Sequence, residues 1–128
     1  MPRLLLVLAV ALTAAACAPP PPAAAVRDAV AGQPFTVEVG EAIRVDDRVV
    51  RVVSVEDGRC PQNVECVWAG AATVTVDVGG RVLTLSTQEE DDADAPIRLW
   101  EVTPYPGSPA SLDGAPVRVS LEVLPAGD

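Results

Sequence analysis

The chain has 128 residues, eighteen acids against nine basic residues that are all arginine, no histidine, and a net charge of −9. That balance excludes the basic footprint needed for nucleic-acid binding and a basic patch for anionic lipid. Without histidine or lysine there is no imidazole base, no Ser/His/Asp triad, no Schiff base and no serine–lysine dyad.

Residues 1–16 carry Arg3, an apolar run over 4–12 and then small residues. That order is a secretory signal, too short for an ordinary transmembrane helix. Ala15 and Ala16 directly before Cys17 resemble a lipobox, the bacterial lipoprotein processing site. The resemblance implies cleavage before Cys17 and acylation of its thiol and new amine. Ala14 stands where leucine is usual, which keeps ordinary signal-peptide cleavage open as the alternative. Each buried methylene contributes about 0.8 kcal/mol to membrane affinity, so two or three acyl chains would hold the chain on a bilayer. Ala18 is not the aspartate of the inner-membrane retention signal, which favours the outer membrane in a two-membrane bacterium. Residues 17–34 include APPPPAAA and read as a stiff, low-complexity tether. A short helix over 26–31 is the one element foreseen there.

From residue 35 onward valine and threonine dominate, and turn residues recur about every ten residues, as in a β-sandwich or barrel. The expected domain, 35–128, is a single small antiparallel β-sandwich of six or seven strands, immunoglobulin-like or Greek-key in type. FTVEV (35–39) is the first strand. AIRV-DD-RVVRVVSV (42–55) reads as a hairpin in which Val50 and Val52 pair with Ile43 and Val45. That leaves Val49, Val53 and Val55 on the other face, so either both faces are covered or a bulge intervenes. VTVDV-GG-RVLTL (74–85) is the clearest hairpin. A two-residue Gly79-Gly80 turn sets Val78 opposite Arg81, Val76 opposite Leu83, Val74 opposite Leu85 and Thr75 opposite Thr84. The acidic run Glu89-Glu90-Asp91-Asp92-Ala93-Asp94 reads as a solvated loop; calcium ligation is the alternative, although the run lacks the spacing of a dedicated calcium loop. IRLWEV (97–102) and VRVSLEV (117–123) complete the strands, with Val117, Val119, Leu121 and Val123 inward. Trp68 and Trp100 are expected in the core, and Tyr105, in the turn TPYP, is a candidate exposed binding residue.

The most distinctive stretch is DGRCPQNVECVWAG, residues 57–70, with Cys60 and Cys66 six apart. A catalytic dithiol usually has two intervening residues and here there are five; ordinary zinc sites need histidine or more cysteines. Assigning Cys17 to lipid leaves Cys60 and Cys66 as a pair for an oxidising compartment. Closing that seven-residue loop contributes about 2–2.5 kcal/mol in the chain-entropy model. A structural disulfide is therefore preferred, with a redox role as the alternative. Carboxylate pairs could still serve a glycosidase, but no pair is singled out, and no enzyme activity, metal or cofactor is expected.

In Asp57, Arg59, Cys60, Pro61, Cys66, Val67, Trp68, Ala69 and Gly70 the chain resembles a set of small exported bacterial proteins, many of them lipoproteins. Their signature is D-x-R-C-P-x4-C-V-W-A-G, and the similarity extends to TPYP and the last strand. Many relatives carry serine where this chain has Gly58, which loosens the turn. The resemblance implies membership and no activity. The expectation is a lipid-anchored, non-catalytic domain of the cell envelope, meeting the membrane through its lipid and an envelope protein or small ligand through residues such as Asp57, Arg59, Pro61, Trp68, Gly70 and Tyr105. Two alternatives differ in class: a protease inhibitor that presents Arg59 on the disulfide loop, and a redox protein using Cys60 and Cys66.

Overall fold

β-branched side chains fit a pleated, half-buried surface, and the computed structural model accordingly folds into two sheets. Residues 17–19, 26–90 and 94–126 are described. In chain order the elements are β1 (Arg27–Ala29), β2 (Pro34–Glu38), β3 (Ala42–Val45), β4 (Arg48–Asp57), β5 (Ala72–Val78), β6 (Arg81–Ser86), β7 (Ile97–Thr103), a one-turn helix α1 (Pro109–Leu112) and β8 (Arg118–Val123). One sheet runs β1-β3-β4-β5-β6 and the other β2-β8-β7. Both contribute to one core of aliphatic side chains, mostly valine, that includes Val37, Val52, Val76, Val102 and Leu121. The expected small all-β sandwich is what forms.

The Gly79-Gly80 hairpin has the register its turn predicts: Val78 faces Arg81, Val76 faces Leu83, Val74 faces Leu85 and Thr75 faces Thr84. Positive φ at both glycines makes that turn accessible. The first hairpin corrects one pairing. Val50 faces Ile43, but the two-residue turn at 46–47 puts Val45 opposite Arg48, and Val52 pairs instead with Val76 of β5.

Bulges resolve the disorderly valines. The β4–β5 register shifts between Val52 and Ser54. Val53 is thereby turned outward and is 50% exposed, whereas Val55 returns to the core face opposite Val74. A second shift, between Leu99 and Glu101, does the same to Trp100 in β7. Val117 lies outside β8 and is exposed, not inward as its alternation suggested.

The first strand lies within the stretch read as tether. Arg27–Ala29 forms a strand, not the foreseen helix, and runs parallel to β3 with Arg27 opposite Ile43. The chain therefore reaches β1 from the end of the sheet where β4 finishes and β5 begins. The connection between β7 and β8 lies at this end too, because Glu38 and Thr103 both pair with Arg118. At the opposite end are the Asp46-Asp47 and Gly79-Gly80 hairpins. Residues 1–16, expected to form a signal, 20–25 of the expected tether and 91–93 of the acidic run lie outside the described residues.

Strict alternation would make Val53 and Val55 equivalent; the bulge makes them opposites. Val55→Asp should destabilise the domain by more than about 2 kcal/mol through a buried charge. Val53→Asp should cost less than about 1 kcal/mol, the range of strand propensity. Urea denaturation of the two variants checks this, and equal losses would contradict the bulge.

Candidate functional site

The 58–71 loop continues the pairing of β4 and β5 past the sheet. The Gly58 N–H donates to the Ala71 carbonyl at 2.9 Å and the Cys60 N–H to the Ala69 carbonyl at 2.7 Å. Gly70 sits at φ +67°, buried so close to Gly58 that a β-carbon would overlap the Gly58 carbonyl oxygen. No other residue type fits there without moving the backbone. Cys60 and Cys66 are joined in a disulfide, with Cα atoms 5.9 Å apart, and close the tip of the loop.

Arg59 clamps this loop to the second sheet. Its Nε–H donates to Asp57 Oδ1 at 2.9 Å and Nη2 to Asp57 Oδ2 at 2.7 Å, a two-pronged ion pair. Nη1 donates to the Val102 carbonyl at 2.9 Å and Nη2 also to the Pro104 carbonyl at 3.2 Å. The guanidinium carbon lies 4.6 Å from the centre of the Tyr105 ring, within cation–π range. Tyr105 Oη in turn donates to the Cys60 carbonyl at 2.8 Å. A backbone bond from the Gln62 N–H to the Pro106 carbonyl, 2.9 Å, joins the two loops again. Gly107, at φ +74°, leaves room for Pro61 and Gln62 to pass.

Hydrogen bonds from the Arg59 side chain hold the Asp57 carboxyl below the usual aspartate range, assisted by the Arg59 backbone N–H and the guanidinium charge. The same hydrogen bonding to Asp57 raises Arg59 above its ordinary value. The Arg59 side chain is only 11% exposed. It is turned inward, bonded to Asp57 on one side and to the Val102 and Pro104 carbonyls on the other.

The tryptophans are corrected. Trp68 is 76% exposed and Trp100 57% exposed. The chain does not re-enter the sheet at 67–68; β5 starts at Ala72, which leaves Val67 and Trp68 on the loop surface beside exposed Val64. Aliphatic side chains already fill the space between the sheets, so no indole is needed to close it. Trp100, turned outward by its bulge, donates Nε1–H to Glu122 Oε2 at 2.8 Å. It borders a groove of about 460 Å³ between β6 and β7 that is also lined by Arg98, Glu89 and Glu90.

Of the residues singled out in the sequence, Asp57, Arg59, Cys60, Pro61, Cys66, Gly70 and Tyr105 come together in this cluster, with Trp68 on its outer surface. Cys17 is exposed and unbonded. The carbonyl partners on Val102 and Pro104 were missed. The available signal was Asp57-x-Arg59, whose spacing puts both side chains on one face of an extended chain. Helix α1 was missed as well, although Ser108, capping through its Oγ, and Pro109 in the first turn are an ordinary start signal. No family model matches the chain, and no curated protein or solved structure matches it either.

Arg59→Ala leaves the partly buried Asp57 carboxylate and two carbonyls without their donor. It should lower stability by about 2–4 kcal/mol in denaturant titration. Asp57 binds its proton less readily folded than unfolded, so the pair stabilises the domain above the ordinary aspartate value of about 3.9. That contribution disappears as pH falls through the lower folded value, and Asp57→Asn should flatten this part of the acid unfolding curve. Separately, Cys60→Ala/Cys66→Ala should lower the melting temperature by about 10 °C or more, from a loss of about 2–2.5 kcal/mol. An unchanged melting temperature would remove the loop closure from the stability argument.

Proposed function

We propose that this chain is an exported, lipid-anchored protein of the bacterial cell envelope, presenting a non-catalytic β-sandwich for a binding or structural role. The partition of cysteines carries this reading. Cys60 and Cys66 are bonded to each other, which leaves Cys17 as the free thiol among the described residues, exposed and directly behind the lipobox-like Ala15-Ala16. A stable disulfide suits an exported protein. The likeness of residues 57–70 to small exported lipoproteins supports the same assignment, and Ala18 favours the outer membrane.

The non-catalytic part of the proposal follows from how the polar side chains near the disulfide are used. Hydrogen bonds from Arg59 to Asp57 and the Val102 carbonyl, and from Tyr105 to the Cys60 carbonyl, hold the loop in place. The loop exposes the apolar side chains Val64, Val67 and Trp68 alongside Gln62, Asn63 and Glu65. Such a surface recognises by contact.

Radiolabelled palmitate should enter the wild-type protein and be lost in Cys17→Ala, with the membrane fraction depleted in parallel. Label retained by the variant would contradict the anchor.

A further inference from the structure

The loop and the proposed anchor belong to the same end of the sandwich. Arg27 lies level with Ile43 and Val50, and Val50 with Val78. From Val78 the strand β5 runs back six residues to Ala72, opposite Asp57, a distance of about 20 Å at ~3.3 Å per residue. The chain arrives at β1 from that side. The ten peptide links from Cys17 to Arg27 reach at most about 33–36 Å fully extended. The base of the 58–71 loop thus projects through more than half of the distance by which the tether can separate the domain from Cys17, and the loop itself projects further.

The hairpin end exposes Val30, Val49 and Val82, whereas the loop end adds an exposed indole, Trp68. The exposed apolar side chains at the loop end are Val64, Val67, Trp68 and, on α1, Leu112, set among exposed Gln62, Asn63, Glu65 and Asp113. Val67 is as exposed as an isolated residue, at 105%. The nearest arginine, Arg59, is turned inward and neutralised by Asp57. The opposite end carries Asp46 and Asp47 at one hairpin tip, with Arg48 and Arg81 directly after the two turns. Tryptophan is favoured at membrane–water interfaces, where one part of the ring is apolar and the indole N–H stays wet.

We propose that the 58–71 loop is a second membrane contact, with Val64, Val67 and Trp68 seated in the interfacial layer of the bilayer that holds the Cys17 lipid. This rests on the lipid-anchor reading above. Glu65, exposed between these residues, keeps the contact at headgroup depth. The disulfide and the Arg59 clamp hold the loop in shape before it meets lipid, so little ordering accompanies the contact. The contact is apolar and does not weaken as salt is raised, unlike a basic patch. Its consequence is orientation: the sandwich stands end-on, with the Asp46-Asp47 and Gly79-Gly80 hairpins outward.

The test uses the acylated protein in phosphatidylcholine vesicles, with and without bromine on the acyl chains. Acylation of Cys17 is first verified by mass. In Trp100→Phe, Trp68 is the remaining tryptophan; its emission should shift to the blue on reconstitution and lose intensity in the brominated vesicles, unchanged by added salt. In Trp68→Phe, Trp100 reports from the side of the sandwich and should show neither change. Both tryptophans lie outside the core, so neither variant threatens folding. Equal Trp68 emission in the two kinds of vesicle would overturn the contact, as would quenching of Trp100 as strong as that of Trp68. Protection of Trp68 only after envelope protein is added back would assign the loop to a protein partner and overturn the proposal. A missing acyl mass sinks the anchor itself, and the contact with it; an acylated chain with unquenched Trp68 sinks only the contact.

Discussion

The guanidinium of Arg59 ties β4 and the 58–71 loop to the end of β7. Guanidinium presents five N–H donors in a rigid fork, and here that fork reaches the carboxylate of Asp57 on β4 and the carbonyls of Val102 and Pro104 at the end of β7. One side chain thereby connects the first sheet to the second at the end where the chain is irregular. A cation so little exposed depends on its counter-ion, because removing either partner strands the other in a poorly solvated place. The disulfide fixes the tip of the loop, whereas Arg59 and Tyr105 fix where the loop sits. The outward position of Val67 and Trp68 follows from both.

Legibility in the sequence tracked how local the cause was. The hairpin at 74–85 was read in full because turn and alternation impose the same register. At 42–57 the same logic, applied strictly to the two-residue turn, already demands Val45 opposite Arg48; matching valines to valines overrode it. A bulge leaves only lost alternation as its trace, so its existence at Val53 could be raised as an alternative but not located. Trp100 concealed its bulge completely, because an indole in an apolar strand looks like core. The strand Arg27–Ala29 carries no β signal of its own. It exists because the edge of β3 offers parallel partners and because Arg27 bonds Glu41 while Arg44 lies near Asp28.

The site was legible as a cluster but not as a mechanism of assembly. Cys60 and Cys66 could be paired by arithmetic, and Gly70 and Tyr105 marked by motif. That Asp57, Arg59 and Tyr105 would satisfy each other is a long-range fact, spanning more than forty residues from loop to turn. Spacing along the chain cannot encode it. The misplacement of Trp68 has a related origin: aromatic bulk suggests burial only when a core lacks volume, and this one is filled by aliphatic side chains.

Charge is distributed to the same effect as shape. Repulsion from a net charge of −9 keeps copies of the chain apart, but it also acts on any surface the domain approaches. A loop meant to make contact works best where that repulsion is weakest. Here the basic member of the loop is held against its acidic neighbour, so Asp57 and Arg59 present almost no net charge beside Trp68. The hairpin acids Asp46 and Asp47 lie at the far end, where they repel without opposing contact. Neutralising Asp57 and clamping the loop are therefore one act, performed by a single ion pair, and Glu65 remains the loop's exposed charge.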